Sequence, residues 1–198
     1  MKAFRMILNR IAPAKSLARC TSLAGAIIVV ASFAGGQTSG DSAARFQAVL
    51  DAVPTSTTKE TASLFESLVK TPEPAVTFFV SKLNPNHDIT DQRARYALTG
   101  MVWESGRGSS KKSQPALAAA LVNSVKDAQG VEAQDFVLEQ VQYAGSADNT
   151  AKLLPYLDDA KLRVRALKTL VVLKSPDLQK DLSARLASAE PDLSLIHI

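Results

Sequence analysis

Apolar side chains recur along most of this chain at intervals of three and four residues, the spacing that lines one face of a helix. Phe46, Val49, Leu50 and Val53 form the first such stripe, and Pro54 closes it. Thr57 or Thr58 can cap the next helix, whose inner face is Phe65, Leu68 and Val69. Pro72 and Pro74 suit the start of a third helix, carrying Val76, Phe79, Val80 and Leu83, and Asn84-Pro85-Asn86 stops it. Further helices are predicted over about 89–103, closing at Gly106, over 114–126 with Leu117, Leu121 and Val125, and over 132–144 with Phe136, Val137, Leu138 and Val141, ending at Gly145. A pair at about 148–157 and 160–173 follows. Ser175-Pro176-Asp177 opens a last helix with Leu178, Leu182 and Leu186 in register.

No segment alternates apolar and polar residues for long enough to predict a strand. Interior glycines are rare and the connections are short. The chain reads as all-α.

Arg95-Tyr-Ala-Leu-Thr-Gly-Met-Val and Arg165-Ala-Leu-Lys-Thr-Leu-Val-Val lie 70 residues apart, each with an acid seven residues upstream, Asp88 and Asp158. That separation is two periods of about 35, in the range of helical repeats. The pair over 114–144 fills the period between, without the valine–arginine opening. The segment from Leu153 to Leu170, two short amphipathic helices around an acidic turn with Val164-Arg165 opening the second, resembles the HEAT-repeat family. The resemblance covers about residues 74–188. It implies a right-handed α-solenoid of stacked antiparallel helix pairs, with residues 41–70 capping its N-terminal end. In that family a turn acid and a second-helix arginine form a ladder between repeats, a role that would fall to Asp88 with Arg95 and to Asp158 with Arg165. Helix 160–173 carries Leu162, Val164, Ala166, Leu167, Leu170, Val171 and Leu173, apolar around much of its circumference, as expected of a helix with neighbours on both sides.

The two ends change the charge. Residues 1–36 hold Lys2, Arg5, Arg10, Lys15 and Arg19 and no acid, then the apolar run Leu23–Ala34; this reads as a secretory signal peptide, disordered or helical, with an uncleaved anchor as the alternative. Translation beginning at Met6 would give the signal a more ordinary length, and Cys20 precedes the apolar core. Residues 37–41 read as a flexible leader and 42–192 as the repeat domain. The tail 193–198, Leu-Ser-Leu-Ile-His-Ile, resembles a translated sequencing adapter, which would make the domain C-terminally truncated and strip His197 of meaning. Removing five cations and no acid from 23 and 19 leaves 18 against 19. The basic character therefore lies in the signal, and no general case for nucleic-acid binding remains. The domain has no cysteine, which excludes disulfides and thiolate metal sites and fits a bacterial periplasm or the extracellular space.

Candidate chemistry is sparse. His87 stands beside Asp88 in a proline-flanked turn, but no second histidine or cysteine joins it, so a loop role is expected over a metal or a serine-hydrolase base. Asp158 and Asp159 are adjacent and diverge, which suits capping better than paired-carboxylate hydrolysis. Gly106–Ser113 has glycines and lysines without the order of a phosphate loop. Tyr96 and Trp103 are expected in the core. Arg93, Arg163 and Lys168 are candidates to face a concave groove. No catalytic, cofactor or metal residue is assigned. The expectation is a non-catalytic, exported scaffold that binds a protein or other macromolecule, with no stable membrane insertion once the signal is removed. The alternative is the N-terminal helical module of a larger exported enzyme, sugar-acting or redox; a lyase like the phycobilin lyases is weaker, with nothing pointing to a chromophore.

Overall fold

A computed structural model of the protein describes residues 39–55 and 57–188. The expected signal peptide (1–36), the start of the leader (37–38) and the tail with His197 lie outside the described residues. Within them the chain is all-helical: α1 (Ser39–Ala52), α2 (Thr58–Val69), α3 (Pro72–Val80), α4 (Ile89–Ser105), α5 (Gln114–Ser124), α6 (Val131–Ala144), α7 (Arg163–Val172) and α8 (Leu178–Ser188), with short 3-10 stretches between some of them and no strand. Ser39–Asp41, expected in the leader, form the first turn of α1.

Local chemistry sets the boundaries. Thr57 caps α2 by accepting from the Glu60 N–H at 3.2 Å, and Asp88 caps α4 by accepting from the Asp91 N–H at 2.9 Å. Pro72 and Pro115 occupy first-turn positions, where a missing N–H costs nothing. Gly130, at φ 89°, supplies the backbone turn into α6. α7 ends in a reciprocal pair of bonds, Lys174 N–H to Val171 O and Ser175 N–H to Leu170 O, both 3.1 Å, with Lys174 left-handed at φ 55°.

The segment expected as one helix over 148–157 departs from that expectation. It is two 3-10 stretches, Ala147–Lys152 and Leu154–Leu157. Pro155 has no N–H to give the Ala151 carbonyl, and its ring crowds that turn, so an α-helix cannot run through it. The following helix begins at Arg163 instead of Ala160, because the Asp159 carboxylate first accepts from the N–H groups of Lys161 and Leu162.

Packing follows a simple order. α3 lies on α5, and α5 on the 147–152 stretch; separately α2 lies on α4, α4 on α6 and α6 on α7. Within each pair the members also touch: α3 with α4, α5 with α6, and 154–157 with α7. A continuous apolar core runs from Phe46 to Leu173 and includes every residue of the sequence stripes at Phe46–Val53, Phe65–Val69 and Val76–Leu83 named above. Leu178 and Leu182 pack against it from α8; the Leu186 side chain lies outside the described residues.

Tyr96 and Trp103, expected in the core, are 42% and 51% exposed. Their periodicity is genuine, but it marks the other side of α4, where Ile89, Tyr96 and Trp103 follow one another at seven-residue steps. The buried side is built from Ala94, Ala97, Leu98, Met101 and Val102. On α7, Val164 and Val171 are likewise exposed, so that helix is covered on fewer sides than its composition implies.

Candidate interaction surface

The expected ladder residues are all engaged, with different partners. Arg95 does not reach Asp88; its Nε donates to Asp91 Oδ2 at 2.8 Å, one turn earlier on the same helix, while its guanidinium lies 4.7 Å from the Phe136 ring centroid on α6. Arg165 does not reach Asp158. Its Nε and Nη2 grip Asp135 on α6 at 3.0 and 2.8 Å, and Nη1 stands 3.6 Å from Glu139. Hydrogen bonding to Asp135 pushes the Arg165 guanidinium above its ordinary range. Asp158 is instead bound by Arg185 of α8. Of these contacts, Arg165 with Asp135 and Glu139 ties α7 to a helix of the preceding pair, Arg185 ties α8 to the turn acid Asp158, and Arg95 stays on its own helix. The signal for this was present in the sequence: Asp91 stands four residues before Arg95, and Asp135 and Glu139 share a face of α6.

Asp88 has the work of a cap. Its carboxyl is held below the ordinary range, first by the Asp91 N–H and then by the Asn84 amide. Around it the turn 84–88 winds back on the start of α4. The wholly buried Asp91 carboxylate accepts from the Asn84 N–H at 3.0 Å, from Arg95 and from His87 Nδ1 at 3.1 Å. Burial works to raise this carboxyl, but the bonds from Arg95, Asn84 and His87 outweigh it and hold it low. His87 Nε2 reaches across to Glu132 at the start of α6 at 2.9 Å. The loop histidine is thus a bridge between two helix pairs. No group of three or more His, Cys, Asp or Glu side chains suited to a metal ion occurs among the described residues.

Of the candidate groove residues, Arg163 donates from Nε to the Leu157 carbonyl at 2.8 Å and so finishes the 3-10 turn before its own helix. Arg93 is half-buried, and its Nε is enclosed without a hydrogen-bond partner. Lys168 is exposed. These residues do not share a contact. Within the Gly106–Ser113 segment, Gly106 caps α4 and Gly108–Ser113 is a 3-10 stretch whose Ser110 hydroxyl donates to Glu104, a closing contact at the end of α4.

What the helices α4, α6 and α7 present to solvent is more informative. α4 carries Ile89, Tyr96 and Trp103, α6 carries Tyr143, and α7 carries Val164, Val171 and Val172, all more than two-fifths exposed. Tyr96 is steadied by the Phe65 ring of α2, 5.9 Å between centroids. Half-exposed aromatic rings on rigid helices are low-entropy contact points for a macromolecular partner. On the α3–α5 side, a cleft of about 490 Å³ is lined by Glu73, Thr77, Asn123, Lys126, Lys152 and Tyr156, among others. Lys152 donates to Asn123 there at 3.0 Å, and burial, then Asp127, raises the Tyr156 phenol. Its charges are mixed, Glu73 and Asp127 with Lys126 and Lys152. No helix of the described residues is long and apolar enough to cross a membrane.

Comparison of the chain with protein-family models, with curated proteins and with solved structures finds no match.

Proposed function

We propose that the chain is a non-catalytic, HEAT-like α-solenoid, exported to the periplasm or extracellular space, that binds a protein or other macromolecule through its row of second helices, α4, α6 and α7. The observation that supports this reading is the order of packing: α3 lies on α5, and α2, α4, α6 and α7 follow one another, while α1 touches both α3 and α4. A stack of that kind offers a long, regular surface instead of one enclosed pocket. The exposed Tyr96, Trp103 and Tyr143 supply anchors on that surface, and Arg165 with Asp135 ties α7 to α6. Affinity would be distributed over many contacts.

Photo-crosslinking tests this. A photoreactive residue is placed at Trp103 or Tyr143 on the second-helix row, or at Glu73 on α3 as a control, and the protein is expressed in its source cells. Adducts with a macromolecule from positions 103 and 143, and none from 73, support the proposal. Adducts from 73 alone, or from none of the three, overturn it.

A further inference from the structure

We propose that His87 is a proton-operated clasp between the α3–α4 and α5–α6 pairs, closed when its ring carries two protons and released on the Glu132 side when it carries one. Nδ1 lies 3.1 Å from Asp91 Oδ2, and Nε2 lies 2.9 Å from Glu132 Oε2. A neutral imidazole has one N–H and one lone pair, so it can satisfy only one carboxylate and turns its lone pair toward the other. Two ionised carboxylates at both ring nitrogens require the imidazolium. The geometry is therefore that of the protonated state.

Which arm lets go follows from burial. The Asp91 side chain is fully buried, whereas that of Glu132 is 69% exposed and readily hydrated. After proton loss the remaining N–H stays with Asp91, and Glu132 exchanges the ring for water. The backbone reinforces the arrangement: His87 sits in the left-handed region at φ 50°, which histidine adopts more readily than most side chains, and its own carbonyl accepts from the Gln92 amide at 2.9 Å. The turn thus holds the ring over Asp91 regardless of Glu132.

The surrounding charges fit. On α4 the ring faces Asp91 and, beyond it, Arg95, while the Asp88 carboxylate is taken by the Asp91 N–H and the Asn84 amide; on α6 the ring faces Glu132, and Asp135 is committed to Arg165. Lys82, at the end of α3, is turned onto the Phe78 ring at 5.1 Å, and Lys126 and Asp127 after α5 line the cleft with Lys152 and Tyr156. The acids in contact, Asp91 first and then Glu132, raise the imidazole above its ordinary 6.5. The sign follows: the clasp contributes fully below the unfolded value and is lost as pH rises through the higher folded value. Release would loosen the start of α6 against α4 and leave the Arg95–Phe136 contact one turn further on in place.

Proton NMR of the His87 ring tests this in the full chain, with His87→Asn to distinguish its resonances from those of His197. The expected midpoint lies above 6.5, and Glu132→Gln, an exposed substitution compatible with folding, lowers it. Hydrogen exchange of the α6 first turn should quicken, beyond the intrinsic pH effect, as pH passes the wild-type midpoint. In Glu132→Gln that step should vanish. A midpoint at or below 6.5, a midpoint unmoved by Glu132→Gln, or exchange without the step would each overturn the clasp.

Discussion

Replacing Arg165 with alanine removes a forked contact that ties α7 to α6, and the structure states which residue should feel the loss. Nε and Nη2 bind Asp135 at 3.0 and 2.8 Å, a geometry that fixes both planes. The Arg165 side chain is 24% exposed but that of Asp135 is 37% exposed, so water screens the pair and its coupling belongs near the top of the surface range, about 1 kcal/mol. The alkyl stem of Arg165 also covers apolar surface, which brings the single substitution to roughly 1–2 kcal/mol in all. For a domain of this size that is a fall in Tm of roughly 2–8 °C. A double-mutant cycle separates the parts. Arg165→Ala and Asp135→Ala should couple by about 1 kcal/mol in denaturant or thermal unfolding, whereas Arg165→Ala and Asp158→Ala should add independently. A coupling of Arg165 to Asp158 larger than to Asp135, or one to Asp135 below about 0.3 kcal/mol, would refute the reasoning and restore the turn acid as the ladder partner.

Three further substitutions each test a single local environment. Gly100→Ala improves helix propensity by about 1 kcal/mol, yet its Cβ would stand 2.2 Å from the Phe65 ring; a net loss of about 1 kcal/mol is expected from overpacking, and circular-dichroism melts showing a gain would contradict it. Lys174→Gly relieves a left-handed residue at φ 55° in the cap of α7 and should stabilise by about 1 kcal/mol, read as a raised unfolding midpoint. Gln140 is 3% exposed with its Oε1 unpartnered. Gln140→Leu should therefore be neutral to stabilising, by up to about 1 kcal/mol, and a clear loss by chemical denaturation would show that the amide has a partner after all.

The helices and most of the core were legible in the sequence because a 3.6-residue period and a few punctuating residues suffice for both. Phe46, Val49, Leu50 and Val53 are buried on one face, as their spacing predicts, and α6 ends at Gly145. Periodicity does not say which neighbours cover a helix. Tyr96 and Trp103 keep a perfect helical interval and still face water, because small alanines on the opposite side of α4 make the close contacts. Pro155 interrupts the 148–157 segment although Leu153, Leu154 and Leu157 around it keep a helical spacing. Arg95 and Arg165 do not meet Asp88 and Asp158 for a different reason: a spacing of seven residues along the chain does not set which side chains meet between helices. Asp135 and Arg165 lie 30 residues apart, a separation no local pattern encodes.

The order in which α2, α4, α6 and α7 lean on one another bears on how the molecule comes apart. Each helix of the row is held by its row neighbours and by α3, α5 or the 154–157 stretch behind it, so in the proposed stack local opening near α7 would reach α2 only after passing through α6 and α4. Amide protection should therefore grade along the row instead of vanishing everywhere at once. An anchor such as Trp103 can keep its shape while the far end of the molecule is already fraying.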